Sequence, residues 1–167
     1  MTRRIALVIE YDGTNFSGFQ RQKNASSIQG EIENAIESLT KERLGLKGAG
    51  RTDAGVHALN QVAAFDTGSR LSVAQIASGL NNYLGVAIAI KGAYEVPSEF
   101  DPRRDAISRV YRYRLLESLR RSPTRRGYTH VVRPGLNIMK MRSAALILLG
   151  KQFGQLWTEK DLSSLTQ

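Results

Sequence analysis

The sequence predicts an α+β fold, an antiparallel sheet with helices packed on one face, and three observations carry that prediction. Apolar residues alternate at period two in several short stretches, two helix starts read S-x-x-Q, and the two periodicities follow one another as β-α-β-β-α-β. That order is the split βαβ, ferredoxin-like arrangement. The 167 residues are 41% hydrophobic and 23% charged, which is enough apolar material for a core and gives no compositional ground for disorder.

The first strand comes from Ile5, Leu7, Ile9 and Tyr11, which alternate until Asp12-Gly13 supplies a turn. Ser26 and Gln29 then form a capping box for a helix whose buried face is Ile28, Ile32, Ala35, Ile36 and Leu39. Residues 45–58, GLKGAGRTDAGVHA, hold too much glycine for one regular element and read as a short strand followed by a loop. A strand follows at residues 61–65. Ser72 and Gln75 form a second capping box, opening a helix with Val73, Ile76, Ala77 and Leu80 on its face. Residues 86–90 are a β-branched run, and residues 107–116 alternate strictly, predicting a longer strand. There Tyr111 and Tyr113 would share one face, and Arg112 and Arg114 the other. A polar loop around Pro123, a strand near residues 128–132 and a helix with Ile138, Met141, Ala145 and Leu148 on one face, stopped by Gly150, complete the pattern. The last seventeen residues show weak patterning.

Charge is unevenly placed. The chain has 24 basic and 15 acidic side chains, a net +9 and a pI near 10.2. Residues 103–133 alone hold ten arginines and two acids, so almost the whole excess lies there and is arginine. A solvated surface is the plain reading of a charge run, but the planar guanidinium fork suits phosphate and base edges, so nucleic acid is the favoured partner. Cysteine is absent, which excludes a disulfide framework, a thiolate nucleophile and a cysteine-based metal site. The apolar run after Arg3-Arg4 is cut by Glu10 and Asp12, too short for a signal-peptide core, and a cytoplasmic protein is expected.

His57 and His130 are too few and too far apart for a histidine metal site. Residues 45–52 read G-x-x-x-x-G-R-T, but a P-loop requires lysine where Arg51 stands and a buried strand before it, whereas a helix precedes this stretch. The denser constellation is Gly50-Arg51-Thr52-Asp53-Ala54-Gly55-Val56-His57. An aspartate between glycines is ordinarily a turn former or cap. Its functional alternative is a carboxylate kept ionised by nearby guanidinium groups and able to act as nucleophile or base.

These residues carry a resemblance to a known family. GRTDAGVHA at 50–58 is similar to the catalytic motif of the tRNA pseudouridine synthase A family, YDGTNFSGFQRQ at 11–22 to its N-terminal motif, and FDPRRDAISRVYRYRL at 100–115 to its F-x-x-R-x-x-A-x-x-R-x-Y-x-Y segment. The resemblance implies isomerisation of uridine to pseudouridine in the anticodon arm of tRNA, without metal or organic cofactor, by a homodimer. It makes Asp53 the nucleophile, Arg51 the residue that helps flip the target base and fills its place, Tyr111 the ring that stacks on the flipped uracil, and Arg103 an RNA or pocket contact. His57 also matches and is read as mainly structural. The implied organisation is an N-terminal catalytic subdomain over residues 1–106, then a shared long strand and the start of an incomplete second α+β subdomain over 107–167.

The resemblance fails after Gly150. Lys151-Gln152-Phe153 stands where the family usually has His-Asp-Phe, residues 154–167 have no counterpart, and Gly85 replaces a usual proline. The later part of the second subdomain, with a basic residue that pairs with the catalytic carboxylate, has no counterpart either. An exposed Asp53 with one charge partner fewer is therefore expected. An active isomerase, an RNA-binding module without catalysis and a non-catalytic interaction subunit all stay open.

Overall fold

The computed structural model describes residues 2–150, so the expectations for the last seventeen residues lie outside the described part. Two compact units are distinguished, one running to Arg112 and the other beginning at Tyr113.

The first unit is built on β1 (Arg3–Tyr11), α1 (Ile28–Thr40), β2 (Lys47–Gly48), β3 (Ala58–Thr67), α2 (Val73–Tyr83) and β4 (Ile88–Val96). Its sheet has the order β2-β3-β1-β4, every neighbour antiparallel. In β1 the register sets Ile5 against Phe65 and Leu7 against Ala63, while Arg4 faces Asp66 and Val8 faces Val62. Residues directly opposite share a sheet face, so the first two pairs line the buried side and the last two the other. Ile5, Leu7, Ile9 and Phe65 join Ile28, Ile32 and Ile36 of α1 and Ile76 and Leu80 of α2 in one core cluster, which puts both helices over the same face. On the other face Arg4 grips Asp66 through two nitrogens, each 2.7 Å from a carboxylate oxygen.

The helix starts follow from local chemistry. At α2 both bonds of the Ser72–Gln75 capping box form. At α1 the cap is Ser27 rather than Ser26: the buried Ser27 hydroxyl accepts from Gly30 N at 3.3 Å. Gln29, freed from capping, donates to Glu33 and to the Leu46 carbonyl, and Glu33, buried among apolar residues, also takes Arg21 at 2.8 Å and the Leu46 amide at 3.0 Å. A buried carboxylate persists because each oxygen is bonded.

Three strands depart from the sequence pattern. β3 extends the expected 61–65 at both ends. β4 begins two residues after the expected 86 and continues to Val96, because the ladder with β1 runs past the apolar residues to Tyr94, Glu95 and Val96, while Val86 lies in the preceding turn. The long strand expected over 107–116 is absent but for β5 (Leu115–Glu117). Ile107, Val110, Tyr111 and Tyr113 are exposed. Alternation alone does not make a strand, since each backbone N–H and C=O needs a partner on a neighbour.

In the second unit β5 pairs in parallel with β6 (His130–Val132), with a short 3₁₀ turn at Pro123–Arg125 between them. Helix α3 (Ile138–Ile147) is capped by Asn137, whose side chain accepts from Lys140 N at 2.9 Å, and it buries no residue among those described, so the expected apolar face on Ile138 and Met141 is exposed. No described helix is long and apolar enough to cross a membrane.

Replacing fully buried Ile32 by alanine should lower unfolding free energy by about 2–5 kcal/mol, from lost transfer energy and the cavity left. Ile107→Ala should change it by less than about 0.5 kcal/mol, as at an exposed site. Denaturant titration of both variants checks the pair, and a large loss at Ile107 would place that residue in a packed strand after all.

Candidate active site

The two motifs at 11–22 and 50–58 fold into one interlocked pair of loops. β1 reaches the first after register irregularities on both sides, between Val8 and Ile9 toward β4 and between Ile9 and Tyr11 toward β3. Such irregularities bend a strand and re-aim the chain beyond it. Phe19 N then donates to the Thr52 carbonyl at 3.0 Å, and Gly55 N to the Phe16 carbonyl at 3.3 Å. The hydroxyls of Tyr11 and Thr52 lie 2.8 Å apart. Burial pushes the Tyr11 hydroxyl up from its ordinary pKa, against the smaller opposing effect of the Thr52 bond, so it stays protonated at neutral pH.

His57 adds a fourth tie. Its Nδ1 is 3.0 Å from Asp12 Oδ1 and 3.2 Å from Gly13 N. One ring nitrogen cannot donate to the carboxylate and accept from the amide at once: protonated it does the first, bare the second. Either bond holds the two loops together. Asp12 Oδ1 also accepts from the amide and hydroxyl of Thr14, at 2.9 and 2.5 Å, fixing the turn.

Two glycines are required by this approach. A Cβ at Gly13 would lie 2.1 Å from the Val56 carbonyl oxygen, and one at Gly18, whose φ is +96°, would lie 2.7 Å from that of Thr52. Only a residue without Cβ fits either place.

The root of the second loop is held as firmly. Ala49 N donates to the Val62 carbonyl at 2.8 Å, and Gln61 Nε2 to the Gly50 carbonyl at 2.8 Å. Between these fixed atoms the side chains of Arg51 and Asp53 are exposed. Asp53 does start a turn, but through its carbonyl, which accepts from Val56 N at 3.2 Å with Gly55 at φ +78°. Neither side chain has a hydrogen bond or ion pair among the described residues, so no guanidinium sits beside the Asp53 carboxylate. The arrangement is a fastened backbone presenting one carboxylate and one guanidinium to solvent.

Arg103 lies on a separate, tightly tied turn. Asp101, which is buried, accepts from the amides of Arg103 and Arg104 with one oxygen and from Lys47 Nζ at 2.7 Å and Arg104 Nε at 3.2 Å with the other. Lys47 and the two amides hold the Asp101 carboxyl well below the usual carboxylate range. Arg4 Nη1 donates to the Phe100 carbonyl at 2.8 Å, joining this turn to β1. The Arg103 side chain is exposed. Tyr111 is 78% exposed, without ring contact or hydrogen bond among the described residues, and it is not on a strand face as the alternation predicts. The structure thus unites Arg51 and Asp53 on one loop and leaves Tyr111 apart from any packed surface.

Arg109 escaped the sequence reading, although it stands in the third motif. Its Nη2 donates to the carbonyls of Ala49, at 3.1 Å, and Arg103, at 2.8 Å, so it joins the root of the Asp53 loop to the Arg103 turn. Among the described residues no three acidic or histidine side chains group so as to hold a metal ion.

The chain is similar to known proteins over most of its length. Residues 7–104 match a family described as tRNA pseudouridine synthase. The chain is 46% identical over 149 residues to a tRNA pseudouridine synthase A of Geotalea uraniireducens, covering 89% of this chain and 61% of the relative. Relatives of the same name from Geobacter sulfurreducens and Thermosipho melanesiensis are each 45% identical over 150 residues, with 90% and 62%, and 89% and 61%, of the two lengths covered. The chain therefore spans about three fifths of the length of the relatives it matches.

Gly13→Ala should force the loops apart, raising amide exchange at Phe19 and Gly55 by about tenfold or more while the β1–β3 ladder keeps its protection. Exchange measured residue by residue decides it, and unchanged rates at both amides would mean that the loops do not depend on this contact. Asp101 gives a pH test. Its folded pKa lies below the reference 3.8, so its stabilisation is present above about pH 4 and disappears as pH falls toward the folded value. Asp101→Asn should melt at a lower temperature than the wild type at pH 7, and the gap should narrow below about pH 4. A gap independent of pH would remove the charge from the account.

Proposed function

This chain belongs to the tRNA pseudouridine synthase family, and from that premise we propose that it serves uridine-to-pseudouridine isomerisation in the anticodon arm of tRNA, with Asp53 as the nucleophile. The observation that supports this reading most is the pairing of a fastened backbone with an exposed carboxylate at Asp53. Preorganisation matters because a carboxylate already held in position spends little binding energy on ordering when the substrate arrives.

The reaction is an isomerisation with no net change in composition. The bond from sugar C1′ to N1 of uracil breaks, the base turns within the pocket, C5 bonds to C1′, and the proton lost from C5 is balanced by one gained at N1. Asp53 enters either by adding covalently or by assisting proton removal from the sugar. The uridine must leave its stack to reach it, at a cost of a few kcal/mol that contacts to the RNA backbone offset. Arg51 helps the base out and fills its place, Tyr111 stacks on the flipped uracil, and Arg103 contacts RNA. Tyr111 has the freedom for this, being exposed and without a side-chain partner among the described residues. The ten arginines of residues 103–133 supply the attraction to phosphate.

The same reading makes residues 1–106 a catalytic, ferredoxin-like subdomain, consistent with its β2-β3-β1-β4 order, and residues 107–167 the start of a second subdomain. It makes the working protein a cytoplasmic homodimer on tRNA. A second reading, an RNA-binding module without catalysis, is favoured by one observation: Asp53 has no ion-pair partner among the described residues.

Tritium release from tRNA transcripts labelled at uridine C5 separates the two. Release by the wild-type chain, reduced below detection in Asp53→Ala with tRNA affinity unchanged, is the expected result. Equal release by both would remove Asp53 from its role, and no release from folded protein would leave the binding module. In either case affinity for tRNA should fall steeply with salt, about 10³-fold or more between 50 and 200 mM if six or more phosphates are contacted.

A further inference from the structure

We propose that Arg109 is a positioning residue for the site, coupling the loop that carries Asp53 to the turn that carries Arg103 so that the two hold one geometry. The inference rests on the proposed role of Asp53 and extends it to a residue that does not touch the reacting atoms.

The geometry is specific. One nitrogen, Nη2, bears two hydrogens and spends them on the Ala49 and Arg103 carbonyls. Ala49 is the last residue before the loop whose backbone bonds to the backbone of β3, through its amide to Val62. Arg103 is the residue whose amide Asp101 caps. A donor shared between two carbonyls fixes their separation as neither carbonyl could alone. Without it, the Arg103 turn would hold to the sheet through Lys47–Asp101 and Arg4–Phe100, and the root of the Asp53 loop through Val62 and Gln61. Those ties attach each piece to the sheet, and none joins one piece to the other. Nε and Nη1 of Arg109 have no partner among the described residues, so the cation is not consumed by an acid. Charge-assisted bonds to carbonyls are also stronger than neutral ones.

Two variants test this. Arg109→Met keeps a long unbranched stem and removes every donor; Arg109→Lys keeps a cation with three donors on one nitrogen, able to bond two carbonyls. For the methionine variant the expected result is faster amide exchange, by about tenfold or more, at Ala49 on one side and at Arg104 and Asp105 on the other, with exchange in β1 unchanged. Exchange equal to wild type at either side overturns the coupling, whether or not the chain turns over. Where turnover is measured, kcat should fall by about ten- to a hundredfold with KM for tRNA altered by less than about threefold, since small misplacement is costly in the chemical step. The lysine variant should recover at least half of that loss on a logarithmic scale. A raised KM with kcat intact, and a salt slope reduced by about one, would show instead that Arg109 is a phosphate contact. Turnover surviving in Asp53→Ala defeats the nucleophile role of Asp53 and leaves the exchange result standing on its own.

Discussion

The shape of the Asp53 loop depends on the close contact between two loops that lack the Cβ atoms that would keep them apart. At Gly13 and Gly18 the backbone of one loop meets carbonyl oxygens of the other at distances no side chain allows. That contact brings Phe19 N to Thr52, Tyr11 to Thr52, and His57 to the Asp12–Gly13 turn. Each bond is worth about 1 kcal/mol on its own, but a loop held at several points loses its alternatives together. The irregularities in β1 belong to the same device, because they aim residues 12–19 at the glycine-rich loop rather than along the sheet.

The sheet contributes a frame of opposite charges on the face away from the helices. Arg4 bridges Asp66 and the Phe100 carbonyl, and Lys47 reaches Asp101. Arginine at Arg4 uses three separate nitrogens for those bonds, which a lysine could not reproduce with the same geometry. The Asp101 turn gains rigidity from the protein interior on one side and leaves the Arg103 guanidinium in water on the other.

What was legible in the sequence was local. The Ser72–Gln75 box needs only residues within one turn, and it forms as written. At α1 two consecutive serines competed, and the one that packs inward, Ser27, became the cap. Strand β4 ran past its apolar start because β1 was available to pair with it, whereas the alternation at 107–116 met no such neighbour over most of its length. The motif residues of the site were legible as a pattern, but their joints were not. Tyr11 and Thr52 are 41 positions apart, Gly13 and His57 are 44, and Arg109 and Ala49 are 60. No periodicity encodes such contacts, which is why Arg109 looked like one arginine among ten.

The role proposed for the exposed Asp53 raises a last electrostatic question. The Asp53 side chain is exposed, and a uracil placed over it would strip water from its charge, which costs free energy unless a cation replaces that water. Cationic charge must therefore arrive with the base or already stand beside it. No guanidinium stands there in the structure, and on the proposed reading Arg51 is the residue to supply the charge as the base arrives: it is two residues away on the same fastened loop, exposed, and held by no acid among the described residues. A guanidinium keeps its charge in a dry pocket where an ammonium could lose it. On that reading, an Arg51 guanidinium drawn toward Asp53 would replace the water that the base displaces, and the same arginine would occupy the space that the base has left.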